Sequence, residues 1–143
     1  MLKIEVASTE EQLKSAFHIR MQVFVEEQQV PMELEVDEHE AESIHFILYD
    51  GELPIGTGRL RSIYPFVKVE RFCILAPHRR RGYGRHLMEA MEQYAIQHNM
   101  TQLKLHAQTH AESFYTQLGY QTTSDLFLEA DMPHVVMEKT IGR

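Results

Sequence analysis

The sequence predicts an α/β (α+β) fold in which helices pack on a mixed β-sheet. Apolar residues alternate with period two in some stretches and recur with period 3.6 in others, in the order β-α-β-β-β-α-β-α-β-β. The clearest stretch, residues 69–88, has the pattern of a buried strand, a basic loop with two glycines and an amphipathic helix. We see no linker or repeat in these 143 residues, so we expect a single domain over residues 1–143.

The first half of the chain should supply four strands and one helix. Ser8 and Glu11 have the spacing of a capping box, which predicts a helix that begins there and ends near Gln28. Gly56 and Gly58 lie inside a predicted strand and indicate a bulge or a close backbone approach. The expected strands are residues 2–7, 44–49, 53–63 and 67–75.

One charged residue, Arg20, stands on the apolar face of the first predicted helix. A charge in this position is either paired at the edge of the core or turned toward a cleft, and pairing is the commoner arrangement. The apolar stripe around it consists of Leu13, Ala16, Phe17, Val23 and Phe24.

The second half should begin with a helix that runs from Gly84 to about His98, with a stripe of leucine and methionine facing the core. A strand at 102–107 and a helix at 110–118 follow, and Gly119 suits the helix end. The final strands are expected at 120–128 and 134–139, joined by a loop that contains Asp131 and Pro133.

Composition and charge narrow the class of protein. The formal net charge of −7 argues against nucleic acid as a partner, and no apolar run approaches the length of a membrane span. The chain opens directly into a strand pattern, from which we expect a cytoplasmic protein without a membrane partner. The single cysteine, Cys73, excludes an internal disulfide and is expected to be a small core residue.

An acidic segment, residues 26–42, carries eight carboxylates and no lysine or arginine. The usual interpretation is a solvated loop in which Pro31 breaks the helix. The alternative is that some of these carboxylates line a pocket for a cationic substrate.

The loop between the central strand and its helix is basic, with Arg79, Arg80, Arg81 and Arg85 around Gly82 and Gly84. A helix start offers unpaired N–H groups and partial positive charge, and glycines let an anion approach the backbone. We therefore expect a phosphate-binding loop. Neither the Walker A loop nor the dinucleotide fingerprint matches, because Gly-Lys-Ser/Thr is absent and Leu87 stands where the fingerprint needs a small residue.

The form Arg79-x-x-Gly82-x-Gly84 matches the Q/R-x-x-G-x-G/A signature, so the chain resembles the GNAT superfamily of acetyl-CoA-dependent N-acetyltransferases. Residues 111–120 resemble the A-x-x-F-Y-x-x-x-G-F/Y segment of that family, and residues 20–28, 105–108 and 133–137 resemble a small, largely uncharacterised bacterial branch. The resemblance covers most of the chain. It implies a GNAT-like mixed, mostly antiparallel central sheet flanked by helices.

The resemblance also implies the activity and the cofactor-binding residues. Acetyl-CoA would be the co-substrate, and its acetyl group would pass to a primary amine by direct attack in a ternary complex. The backbone of Phe72 and Ile74 would meet the pantetheine arm, and one N–H there would polarise the thioester carbonyl. The cofactor-binding residues implied are Phe72, Ile74, Arg79, Arg80, Arg81, Gly82, Tyr83, Gly84, Arg85, Gln108 and Phe114. Gln108 departs from the asparagine of many relatives.

Two residues are the candidates for catalysis. Tyr115 matches the family tyrosine that protonates the departing thiolate, although it could instead only pack against the cofactor. Glu70 shares a strand face with Phe72 and Ile74 and is the candidate general base, unless it is held in a salt bridge by Arg59 or Arg71. The other candidate bases are His106, His110 and His134.

Three hypotheses on function follow. The leading one is an amine N-acetyltransferase, and the second is an acyl-CoA-binding or regulatory module without turnover. The third, nucleic-acid binding through the arginine cluster, conflicts with the net charge of −7. No metal site is expected, because the histidine spacing gives no ligand set. The acceptor could be a small amine, among them a cationic one, or a protein amine, and the resemblance allows a homodimer.

Overall fold

Strands from the beginning, the middle and the end of the sequence form one β-sheet. In this computed structural model, which describes residues 1–32, 39–40 and 42–142, eight strands form one mixed sheet of order β1-β2-β3-β4-β5-β8-β6, and β7 pairs with β8. All pairings are antiparallel except that of β4 with β5. The strands are β1 Leu2–Val6, β2 Ile44–Asp50, β3 Leu53–Ile63, β4 Phe66–Ile74, β5 Gln102–Gln108, β6 Gln121–Thr122, β7 Phe127–Glu129 and β8 Met132–Thr140.

Three α-helices accompany the sheet in the described ranges: α1 Glu10–Arg20, α2 Tyr83–Gln97 and α3 Glu112–Gln117. A π-helical segment, Met21–Glu27, continues α1, and short 3₁₀ turns precede α2 and α3. The α+β fold predicted from the sequence is confirmed, as is its mostly antiparallel sheet. None of these helices combines the length and the apolar character needed to cross a membrane.

The start of α1 differs from the prediction by one residue. Thr9, and not Ser8, is the N-cap: its hydroxyl accepts from the Gln12 backbone N–H at 3.1 Å, and the Gln12 side chain accepts from the Thr9 N–H at 3.2 Å. The predicted apolar stripe is also only partly right. Ala16 and Val23 are buried, whereas Phe17 is more than one-third exposed.

The end of the chain also differs from the prediction. The single strand expected at 120–128 is wrong: the structure has two short strands, β6 and β7, separated by residues 123–126. The Ser124 hydroxyl accepts from the Val136 N–H at 2.8 Å, so a side chain replaces a strand residue as the partner of β8. Pro133 lies inside β8, because the β7–β8 hairpin turns at Ala130 and Asp131, both with positive φ.

The larger of two core clusters lies between the sheet and α2, and the smaller joins Ile19 and Val23 to Cys73 of β4. The predicted face of α2 is confirmed, since Leu87, Met88, Met91 and Ala95 are all buried there. Gly58 allows this packing: a Cβ at this position would come within 2.9 Å of the Met91 sulfur. Cys73 is buried, as expected.

Two irregularities shape the middle of the sheet. The β3–β4 register shifts between Thr57 and Arg59, and on the opposite strand Arg71 has a left-handed φ of 54°. In the described chain the parallel β4–β5 ladder ends at the Val69–Leu105 pair. Beyond that pair β4 and β5 separate, and the separation opens a cleft.

Buried arginines are held by carboxylates next to this cleft. Arg20 and Arg59 are almost fully buried, and both donate to Glu40, at 2.6 and 2.9 Å. Arg59 also contacts Glu70 at 2.8 Å. The pairing expected for Arg20 is therefore confirmed, and its partner Glu40 comes from the acidic segment. Breaking such a cluster leaves a buried charge without compensation.

We predict that Glu40→Gln lowers the free energy of unfolding by about 2–3 kcal/mol near neutral pH. This is less than the roughly 3–5 kcal/mol for breaking a fully buried pair, because Glu40 is partly exposed. Burial alone would raise the pKa of Glu40, but hydrogen bonds and charge from Arg20 and the charge of Arg59 outweigh it and lower this pKa. The stabilisation is thus present above the ordinary carboxyl pKa of the unfolded chain. It is lost as pH falls through the lowered pKa of Glu40 in the folded protein.

Urea unfolding of wild type and variant at several pH values measures this difference. Glu42→Gln is the control, because the Glu42 side chain is 55% exposed, and its effect should stay within about 0.5 kcal/mol. A Glu40→Gln difference that is small at neutral pH or that grows in acid would contradict the assignment.

Candidate active site

The cleft between β4 and β5 has two adjoining parts. The larger part, about 800 Å³, lies between the π-helical segment, β4, β5 and the β7–β8 hairpin. The smaller part, about 450 Å³, lies between the end of β4, the basic loop, the start of α2 and α3. Phe72, Ile74, Arg79, Arg80 and Tyr115 line both parts, so the two form one groove.

The smaller part collects the residues expected to bind the cofactor. Of that set, only Arg81 and Gln108 do not line it. Arg81 is exposed and lines neither part, whereas Gln108 lines the larger part. The residues that line the smaller part are Phe72, Ile74, Arg79, Arg80, Gly82, Tyr83, Gly84, Arg85 and Phe114.

The basic loop presents its backbone to this space. Gly82 is the N-cap of α2 with φ of 79°, and among the described residues no side chain caps the helix start. A Cβ at Gly82 would meet no protein atom within 4 Å, whereas one at Gly84 would lie 3.1 Å from the Phe114 ring. The first amides of α2 therefore offer donors and partial positive charge to an anion in the groove.

The Arg79 side chain joins the basic loop to the π-helical segment. Its guanidinium donates to both carboxylate oxygens of Glu27, at 2.6 and 2.8 Å, and its Nε donates to the Ile74 carbonyl at 2.7 Å. The hydrogen bonds from Arg79 lower the pKa of Glu27. Arg79 thus fixes the relative positions of the loop, β4 and the segment that covers the larger part.

Tyr115 lies where the two parts meet. Its ring is buried against Phe72, Phe114 and Tyr120, with centroid distances of 6.1, 5.0 and 6.0 Å. Burial, followed by the nearby Cys73 thiol, raises the pKa of the phenol above its ordinary value. Tyr115 therefore keeps its proton at neutral pH and can act as a donor.

Glu70 lies in the larger part, surrounded by cations. Its carboxylate contacts Arg59 at 2.8 Å, Arg61 at 3.0 Å and Lys68 at 3.2 Å. Burial alone would raise its pKa, but the hydrogen bonds from Arg61 and the charge of Arg59 prevail and lower it strongly. A carboxylate stabilised in this way is a poor proton acceptor. This geometry favours the salt-bridge alternative, with Arg59 as expected and with Arg61 and Lys68, which the sequence did not indicate.

Gln108 closes the larger part on one side. Its amide donates to the Gln28 side-chain oxygen at 2.8 Å, and its own oxygen contacts His110 Nε2 at 2.5 Å. The end of β5 is thus tied to the residue after the π-helical segment.

The larger part also contains a pair that sequence reasoning did not assemble. His106 Nδ1 lies 2.7 Å from Glu129 Oε1, and His134 lines the same space. Glu129 was missed because the sequence indicated one long strand at 120–128. If the two-residue turn at Ala130–Asp131 had been predicted from the sequence, Glu129 would have been placed next to β8 and facing the histidines.

Of the described residues in the acidic segment, few carboxylates line the groove. Glu27 lines the larger part but is paired with Arg79, and Glu40 is paired with Arg20 and Arg59. The carboxylates at 33, 35, 37 and 38, for which a cationic pocket was considered, lie outside the described residues. In the described ranges, the His, Cys, Asp and Glu side chains form no group of three suited to a metal ion.

Comparison with known proteins identifies the family. The model of the acetyltransferase (GNAT) domain matches residues 5–141, almost the whole chain. The chain belongs to the GNAT acetyltransferase family. This confirms the resemblance carried by the arginine-glycine loop and by residues 111–120.

One relative and two solved structures are similar to this chain. YjcF of Bacillus subtilis strain 168, described as an uncharacterized N-acetyltransferase, is 46% identical over 139 residues, which cover 96% of this chain and 99% of YjcF. An acyl-CoA N-acyltransferase structure from Pseudomonas aeruginosa has a TM-score of 0.86 at 26% identity and covers 98% and 99% of the two chains. An aminoglycoside 6'-N-acetyltransferase complexed with coenzyme A shares the fold, with a TM-score of 0.78 at 15% identity over 99% and 98% of the two chains.

We predict that Glu27→Gln loosens the π-helical segment. A partly exposed ion pair contributes about 0.5–1 kcal/mol, so amide hydrogen exchange in Met21–Glu27 should accelerate about two- to fivefold. Exchange in the core strands should not change. Mass-spectrometric exchange measures this effect, with Glu26→Gln as the matched control, since Glu26 is the exposed neighbour. Equal exchange in both variants would show that the Arg79 contact does not hold the segment.

Proposed function

We propose that this GNAT protein transfers the acetyl group of acetyl-CoA to a primary amine by direct attack in a ternary complex. The observation that carries the proposal is the continuity of the groove. An anion-binding helix start lines its smaller part, titratable side chains line its larger part, and Tyr115 lies between them. The shared fold with a structure that contains coenzyme A supports the choice of co-substrate.

The cofactor would occupy the smaller part. Its pyrophosphate would accept hydrogen bonds from the amides of Gly82, Tyr83, Gly84 and Arg85, with Arg80 and Arg81 as nearby cations. The pantetheine arm would run along Phe72 and Ile74, where β5 has separated from β4. Phe114 would pack against it, and Gln108 would contact the cofactor only at its thioester end.

The reaction would take place at the junction. A backbone N–H of Phe72 or Ile74 would stabilise the oxyanion that forms when the amine attacks the thioester carbon. Tyr115 would give its proton to the departing thiolate, since burial raises the pKa of the phenol and keeps it protonated until that step. Glu70 as the general base has less support, because three cations already stabilise its charge.

The acceptor is proposed to be an amine that fits the larger part of the groove, either a small molecule or the end of a flexible protein segment. Glu27, Glu70 and Glu129 and the cations Lys68 and Arg71 all line this space. The mixed charge of this space does not select for a purely cationic acceptor. The appropriate screen is therefore a panel of primary amines, some with further positive groups and some with carboxylates.

We predict that acetyl-CoA binds in the micromolar range and that Gly82→Ala weakens binding by about tenfold or more, because the new methyl group obstructs the phosphate site. Gly51→Ala is a matched control: Gly51 also has positive φ, 65°, with nothing within 4 Å of a Cβ, but it lies in the β2–β3 turn. Both variants should lose similar stability, and only Gly82→Ala should lose binding. Calorimetric titration that finds no binding to wild type would remove the basis of the proposal.

We predict that Tyr115→Phe lowers kcat by about 10²-fold and leaves the KM for acetyl-CoA nearly unchanged, because the proton is needed only in the transition state. Release of free thiol with the best acceptor of the amine panel measures the rate. Tyr120→Phe is the control, since Tyr120 packs in the same ring cluster but donates to Glu92 at 2.9 Å. Acetyl-CoA binding without thiol release from any acceptor would favour the acyl-CoA-binding module instead.

A further inference from the structure

Three side chains from three strands meet in the larger part of the groove. His106 comes from β5, Glu129 from β7 and His134 from β8, and all three line this space together with Tyr115. His106 Nδ1 lies 2.7 Å from Glu129 Oε1, and His134 Nε2 lies 4.0 Å from Glu129 Oε2. The ring of Phe127 packs against both imidazoles, with centroid distances of 5.2 and 6.0 Å.

The contacts of each histidine determine where its proton is. The hydrogen bond from His106 is the largest cause that lowers the pKa of Glu129, so this carboxylate is ionised at neutral pH and must accept from His106 Nδ1–H. The lone pair of a neutral His106 is then on Nε2. In the same way, His134 Nδ1 must donate to the Met132 carbonyl at 2.8 Å, because a carbonyl only accepts.

The charges around His106 differ from those around Glu70. Glu70 contacts two arginines and one lysine, which stabilise its ionised form. His106 instead contacts a carboxylate, which stabilises the imidazolium that forms when the ring accepts a proton. The other ionisable side chains near the His106–Glu129 pair are His134 on β8, Lys68 and Glu70 on β4, and Lys104 on the same face of β5.

We propose that His106, oriented by Glu129, is the general base that deprotonates the acceptor ammonium. This proposal rests on the acetyl transfer proposed above. Glu129 is a positioning residue: it holds the Nδ1–H and leaves Nε2 open to the groove.

The protons balance as follows. His106 Nε2 takes one proton from the ammonium, and the free amine forms a C–N bond with the thioester carbon as the C–S bond breaks. Tyr115 gives a proton to the sulfur and is restored by the second proton lost from nitrogen. His106 then returns its proton to solvent, so each turnover releases one amide, one thiol and one proton.

The test compares the pH dependence of kcat/KM in wild type, His106→Gln and Glu129→Gln, with the fastest acceptor of the amine panel. His106→Gln should lower kcat/KM by about 10²-fold or more and remove the acidic limb of the profile. Glu129→Gln should lower kcat/KM by less than His106→Gln does, because the ring loses the acceptor that fixes its Nδ1–H tautomer. His18→Gln, an exposed histidine outside the groove, is the control and should match wild type.

A second measurement does not depend on turnover. Nitrogen-detected NMR of the imidazole side chains should show neutral His106 as the Nδ1–H tautomer in wild type and a mixture of tautomers in Glu129→Gln. An Nε2–H tautomer in wild type would overturn the proposal. A His106→Gln profile equal to that of wild type, together with an impaired Tyr115→Phe variant, would also overturn the role of His106. The proposed acetyl transfer would then still stand. If the wild-type protein binds acetyl-CoA but acetylates no amine, both the acetyl transfer and the role of His106 are overturned.

Discussion

The early end of the parallel ladder between β4 and β5 is the constraint on which the rest of the site depends. Pairing stops at Val69 and Leu105, and the left-handed Arg71 turns β4 in the residues that follow. A fully paired sheet would have no groove at this point. The separation leaves the end of β4 accessible along one edge, next to the start of α2, so that an extended acyl chain and a helix-bound anion can be held by one continuous surface.

Opening a sheet in this way exposes backbone and weakens packing, and ion pairs connect the elements on the β4 side of the opening. Arg59 links Glu40 to Glu70, while Arg79 links Glu27 to the end of β4. These contacts fix the β4 wall of the groove and the π-helical segment beside it. The same arrangement explains why two carboxylates in one cleft differ in role: Glu70 is stabilised by cations, whereas Glu129 faces imidazoles that can change charge.

Much of the fold could be predicted from the sequence, because apolar periodicity and the arginine-glycine loop are local signals. The family resemblance, carried by that loop and by residues 111–120, indicated Tyr115 and most of the residues that line the smaller part of the groove. The ion pairs could not be predicted, since Arg59 and Glu40, or His106 and Glu129, are far apart in sequence and meet only after strands have paired. The break at Ser124 was missed because a hydroxyl that accepts from Val136 replaces a strand partner, and periodicity does not detect this.

The most direct test of the account is an NMR titration of the ¹⁵N-labelled protein with coenzyme A. If the groove binds the cofactor as proposed, the largest amide shifts will fall on residues 72–75 and 82–85, with smaller changes near Tyr115. The amides of β1 and β2, on the far edge of the sheet, will not move. Shifts concentrated on β1 and β2, or spread evenly over the surface, would contradict the claim that the divergence of β4 and β5 creates the cofactor site.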